Sequence, residues 1–139
     1  MGIFLKNESL GRIRLWGIYL WVLPASTCGA ILALPLLVLG GNVAWFDGVW
    51  EVCAPRSIAR LSHRFGAITF GHVVIARDAA QMAALREHER VHVRQYARWG
   101  ILFFPLYLGS SCWQVLRGRR FYRDNHFERE AYGDDPAAR

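Results

Sequence analysis

The chain has 139 residues, a formal net charge of +6 and 53% hydrophobic residues, with a mean hydropathy of +0.13. That length holds one domain with a modest core, and that apolar content is too high for an ordinary soluble domain of this size, so some of the surface is expected to meet lipid. No repeat, low-complexity tract or Gly-rich phosphate loop is present, and a single lysine among seventeen basic residues fits a GC-rich genome and says nothing of function.

No charged residue lies between Arg14 and Asp47. Leu15 to Leu39 exceeds the roughly 20 apolar residues that cross a bilayer. Trp16, Tyr19 and Trp21 stand at one end and Trp45, Phe46 and Trp50 at the other, as interfacial aromatic belts would. Pro24 and Pro35 are expected to kink the segment. It is longer than the apolar core of a signal peptide and has no clear small-x-small cleavage site, so it reads as an uncleaved transmembrane anchor. Lys6, Arg12 and Arg14 against Asp47 and Glu51 place the N-terminus in the cytoplasm, although Arg56, Arg60 and Arg64 soon restore positive charge. Cys28, Cys53 and Cys112 are odd in number and widely spaced, which suggests buried free thiols.

Ala67 to Ala76 is rich in β-branched and aromatic residues and broken by Gly71, a strand or short hairpin. His63 and His72 read as ordinary polar residues. A helix is expected from Ala79 to Trp99, with Asp78 as N-cap, Gln81 as the partner of a capping box and Gly100 as the stop. Leu85, His88, His92, Gln95 or Tyr96, and Trp99 mark its inward face, while Arg86, Arg90, Arg94 and Arg98 form a row that should be wet or meet acidic groups.

His88-Glu89-Arg90-Val91-His92 is an H-E-x-x-H pentapeptide within that helix. Residues four apart share a helix face, so both imidazoles reach one zinc ion while Glu89, one residue round, holds a water. The bland alternative is a pair of solvated or hydrogen-bonded histidines. A catalytic zinc takes three protein ligands and an open position, so the site demands a further ligand downstream. Glu128 is the best candidate, with Glu130 and His126 as substitutes. Asn125 to Glu128 also reads as a capping box, in which Glu128 turns back to the backbone instead.

Between the two halves lies a second uncharged run, Trp99 to Leu116. A simple crossing there would part His92 from Glu128 by about 30 Å. The site therefore requires that it bend at Pro105 or Gly109-Ser110-Ser111, re-enter, or lie buried or at the interface. A true span would leave a two-span membrane protein with an accidental motif. Arg117, Arg119, Arg120 and Arg123 follow closely, with lipid headgroups as their natural partners and no nucleic acid.

His88-Glu89-x-x-His92 followed by Glu128-Arg129-Glu130-Ala131 resembles the H-E-x-x-H … E-x-x-A pattern of gluzincin metallopeptidases, among them membrane-embedded prenyl-protein (CAAX) and heat-shock proteases and sensor peptidases of BlaR type. The resemblance runs from about Ala67 to Tyr132. It implies His88, His92 and Glu128 as zinc ligands, Glu89 as general base, Ala131 as the small residue that lets the second helix approach, and a strand beside the cleft able to pair with an extended peptide. Arg90 stands where the family usually has an uncharged residue, and Tyr132 where an acidic residue often follows the alanine.

The resulting expectation is a mainly helical α+β fold. A basic segment and transmembrane anchor take up residues 1–46. A metallopeptidase-like domain follows at 47–132, including the apolar 99–116, and a flexible tail at 133–139. The expected function is zinc-dependent hydrolysis of a peptide or protein substrate, in the inner or plasma membrane of a bacterium. Tyr132, His126 and Arg123 are candidate oxyanion donors by nearness in sequence. The alternative is a non-catalytic membrane or adaptor protein, with or without a structural metal.

Overall fold

A computed structural model of the chain describes residues 2–61 and 66–133, with side chains from Leu15 to Arg60 and from Gly66 onward. His63, and the expected tail beyond Gly133, lie outside the described residues. The architecture is mainly helical with one small sheet.

α1 (Gly2–Val38) runs through Pro24 and Pro35, and its stretch Leu15–Val38 is long and apolar enough to cross a membrane. It is also part of the core. Val22, Ala25 and Ala33 are buried, and with Ile18, Gly29 and Leu36 they recur every three to four residues, one stripe along the helix. Gly29 is obligatory in that stripe, because a Cβ there would stand 2.8 Å from that of Val73 and 2.9 Å from that of Phe70.

β1 (Asn42–Phe46) and β2 (Val49–Cys53) form an antiparallel hairpin. Its two-residue turn, Asp47-Gly48, has positive φ at both positions (47° and 81°), the backbone that matches the twist of a tight hairpin. The hairpin continues the chain across position 46, so residues 42–46 belong to the sheet. After the short α2 (Arg56–Leu61), β3 (Ala67–Phe70) and β4 (Val73–Ala76) form the second hairpin, turning at Gly71 with φ 61°. Strand order is β1-β2-β4-β3, with β2 and β4 parallel. β1 and β3 are the open edges.

The sheet separates two apolar layers. Val52, Val73 and Ile75 pack on Ala33, Leu36 and Leu37 of α1, while Val49, Val74 and Ala76 pack on Met82 and Val93 of α3 (Ala79–Trp99). A third cluster joins Val22 and Ala25 to Tyr96, Phe103 and Phe127 where α1 leaves the sheet. Each such aromatic or branched side chain contributes about 1.5–3 kcal/mol by burial. The β3–β4 turn is fastened to α1 by the His72 N–H, which donates to Ser26 Oγ at 3.0 Å.

α3 begins and ends where its sequence signals stand. Asp78 accepts from the Gln81 N–H at 2.8 Å, and the Gly100 N–H closes on the Tyr96 carbonyl with φ 58°. The apolar run after it does not continue as a long helix. A 3-10 turn (Gly100–Leu102) and α4 (Phe103–Leu116) redirect the chain, and α5 (His126–Tyr132) returns against α3.

Candidate metal centre

α3 buries the face its sequence suggests at His92, Gln95 and Tyr96, but that face extends toward Met82 and Glu89 and not to Trp99. Met82, Glu89, His92, Gln95 and Tyr96 are buried, whereas Leu85 is half-buried and Trp99 is 39% exposed. Glu89 turns inward because β3 lies beside it. The Thr69 hydroxyl donates to Glu89 Oε2 at 2.6 Å, and Glu89 is only 4% exposed. Arg86 and Arg90 on the flank meet acidic groups, as their row requires. Arg86 forks onto Glu51 at 2.8 and 2.9 Å. Arg90 donates to Asp47 at 2.7 Å and to the Phe46 carbonyl at 3.0 Å, so the arginine that departs from the gluzincin pattern pins the first hairpin to α3. Arg94 and Arg98 are exposed.

α5 brings Glu128 to the two histidines. The helix starts at Asn125, whose side chain accepts from the Phe127 N–H at 2.9 Å and donates to Ser111 Oγ at 2.6 Å and the Tyr107 carbonyl at 3.0 Å. Asn125 therefore caps the helix, and the Glu128 carboxylate turns into the site. His88 Nε2 lies 3.2 Å from Glu128 Oε2, His92 Nε2 lies 3.4 Å from Glu128 Oε1, and the two Nε2 atoms are 3.1 Å apart. Two ligands about 2.0–2.1 Å from one tetrahedral ion stand about 3.3–3.4 Å from each other; the 3.1 Å between the two imidazole nitrogens is close to that length, and each imidazole faces a different oxygen of the carboxylate. The His88 and His92 side chains are 9% exposed and that of Glu128 is 3% exposed. The group is able to hold a metal ion, and its candidate ligand atoms lie within 4.8 Å of one another.

The surroundings favour a cation there. His92 Nδ1 is 2.8 Å from Gln95 Oε1, while Gln95 Nε2 donates to the Phe127 carbonyl at 3.1 Å and to Glu130 Oε2 at 2.9 Å. With both amide protons committed to oxygens, Gln95 offers His92 only an acceptor. His92 must then be protonated at Nδ1, which leaves the Nε2 lone pair of the neutral ring aimed at the site. Glu128 Oε2 and His88 Nδ1 are buried without hydrogen-bond partners. The His92 Nε2 lone pair and the Glu128 carboxylate, 3.4 Å apart, repel unless a proton or a cation sits between them.

The titration shifts have the same origin. Burial alone would raise the Glu128 pKa, but His88, His92 and Tyr107 hold it far below the usual carboxylate range. Burial alone would lower that of His92, yet Glu128 and Gln95 outweigh it and move it up. The Tyr107 hydroxyl, raised by burial and by its 2.6 Å bond to Glu128 Oε1, stays protonated.

A cavity of about 240 Å³ opens beside the group, lined by β3 with Glu89, His92, Phe104, Tyr107 and Tyr122 among others. Of the oxyanion candidates, Tyr132 packs its ring against His88 at a tilt of 50° with ring centroids 4.4 Å apart, its hydroxyl 3.4 Å from that of Tyr122. His126 and Arg123 are exposed, and neither lines this cavity. Glu130 and His126 are not in the ligand group; Glu130 instead accepts from Gln95. Thr69, Gln95 and Tyr107 are the supporting residues that sequence reasoning missed. Gln95 alone carried a signal, three residues after His92 on the inward stripe. No protein-family model, curated protein or solved structure matches the chain.

Proposed function

We propose that this chain is a zinc-dependent peptidase tethered to a membrane by α1. The observation that carries the reading is the convergence of His88 Nε2, His92 Nε2 and the Glu128 carboxylate at 3.1–3.4 Å, with the buried carboxylate of Glu89 next to it at a cavity bounded by an edge strand. Structural zinc sites are usually closed by four protein ligands, whereas this group has three members among the described residues. That difference favours catalysis over the structural-metal alternative.

When bound, zinc would polarise a scissile carbonyl and lower the pKa of a water. The chain's own residues supply the rest. Gln95 orients His92 and Tyr107 orients Glu128. Thr69 donates to Glu89 Oε2, which leaves Oε1 as the basic atom to accept a proton from the attacking water and pass it to the leaving amine. β3 has a free edge on which an extended peptide adds as a further strand, with Ile68 and Phe70 lining its path into the cavity.

Glu89→Gln preserves size and hydrogen bonding while removing the base. The expected outcome is unchanged zinc content with peptide hydrolysis reduced about 100-fold or more, measured by self-cleavage and with a fluorogenic peptide library. A variant that cleaves as fast as the wild type removes Glu89 from the reaction.

A further inference from the structure

α4 wears its polarity inside out. Its inward stripe carries Tyr107, Ser110, Ser111 and Gln114 beside Phe103, and the first three serve α5. Tyr107 donates to Glu128, Ser110 Oγ accepts the His126 N–H at 3.1 Å, and Ser111 Oγ accepts from Asn125. Its outward face holds Phe104, Leu106, Leu108, Trp113, Val115 and Leu116, exposed by 39–81%. A surface helix in water has the opposite arrangement. A contiguous apolar face of this kind marks contact with something other than water.

Charge identifies the partner. From Arg90 to Arg123 there is no Asp or Glu, and α4 is followed by Arg117, Arg119, Arg120 and Arg123, all exposed. Arg117 lies over the Trp113 ring at 4.7 Å, an aromatic and cationic pairing suited to the headgroup boundary. A second copy on this face would set arginines against arginines. Fourteen residues span only about 21 Å, too short to cross, and both ends are tied to helices whose ligands meet. At the start of the run, a Cβ on Gly100 would stand 2.5 Å from the Trp21 indole, so the exposed faces of α1 and α4 join there.

We propose that α4 is an interfacial helix that seats the protein on an anionic lipid bilayer, with its outward face among the acyl chains and its arginine-rich end at the phosphates. Phe104 is both on this face and in the lining of the metal-site cavity. Resting on the peptidase reading, the substrate class is then a peptide segment held at the membrane surface.

Cys112 lies exposed on α4 and provides a native label site. In the full chain with Cys28→Ala and Cys53→Ala, a spin label at Cys112 is compared with one at Arg98→Cys in the same background with Cys112→Ala added, in vesicles of phosphatidylcholine with phosphatidylglycerol. Position 112 is expected to collide with oxygen and be shielded from a water-soluble nickel chelate, and position 98 to do the reverse. Arg117→Gln/Arg119→Gln/Arg123→Gln, or vesicles of phosphatidylcholine alone, should raise nickel access at 112 several-fold. Equal nickel access at 112 and 98 would overturn the lipid seat, as would spin–spin broadening from a second copy. Zinc content and hydrolysis of soluble peptides, measured on the same samples, report separately on the peptidase reading. With both intact, a vesicle-anchored peptide should be cleaved several-fold faster than its soluble form, and equal rates would remove the substrate assignment alone.

Discussion

His92 and Glu128 are each held by a residue that is not itself a ligand candidate, Gln95 and Tyr107, and Gln95 does the most. It fixes the tautomer of His92 and bonds both the backbone and Glu130 of α5, so it couples the two ligand-bearing helices. Gln95→Ala should lower zinc affinity about 10–100-fold with all three ligands in place, measured by competition with a chelator. An unchanged affinity would mean that His92 needs no such support. The meeting of His88 and His92 was legible because i,i+4 spacing puts two side chains on one face of any helix, and that of Glu128 because a metal site would need a third ligand downstream. The inward turn of Glu89 was not, since it depends on Thr69 arriving from a strand twenty residues earlier. Tyr132, foreign to the gluzincin pattern, packs its ring on His88.

At the scale of elements, local chemistry predicts ends better than it predicts partners. Asp78 and Gly100 bound α3 because capping is settled within a few residues. The Asp47-Gly48 hairpin carried an equally local signal, hidden because the apolar residues around it read as the end of a membrane anchor. α1 shows the limit of composition. Its Leu15–Val38 stretch is long and apolar enough to cross a membrane, yet one stripe of it is packed on the sheet and on Tyr96. A crossing by this stretch must keep the open edges β1 and β3 clear of the hydrocarbon, where unpaired backbone groups cost several kcal/mol each. The close approach at Gly29 tests the packing. Gly29→Ala should destabilise the fold by about 1–3 kcal/mol in chemical denaturation. Gly109→Ala, where an added Cβ meets nothing within 4 Å, should be neutral or stabilising by up to about 1 kcal/mol. Equal effects would mean that α1 does not bear on the sheet at Gly29.

For the whole molecule, the arrangement is one of layers with unlike outer faces. α3 turns its arginines to water or to acidic partners, β4 is buried throughout between α1 and α3, and α1 and α4 turn apolar faces outward. Without metal, the Glu128–His92 pair ties stability to pH in both directions. The depressed pKa of Glu128 gives stability that is present above its unfolded value and lost as pH falls through the folded one. The raised pKa of His92 gives stability that is full below its unfolded value and lost as pH rises through the folded one. Zinc must displace the His92 proton, so its affinity should fall as pH drops below that raised pKa, roughly tenfold per pH unit for one proton. Calorimetry in two buffers of different ionisation enthalpy would show the released proton, and a pH-independent affinity would exclude His92 as a ligand. The most direct test of the account is the zinc content of the purified full chain beside His88→Ala/His92→Ala. About one zinc per chain in the wild type and none in the variant is the predicted result, and equal zinc in both would contradict it.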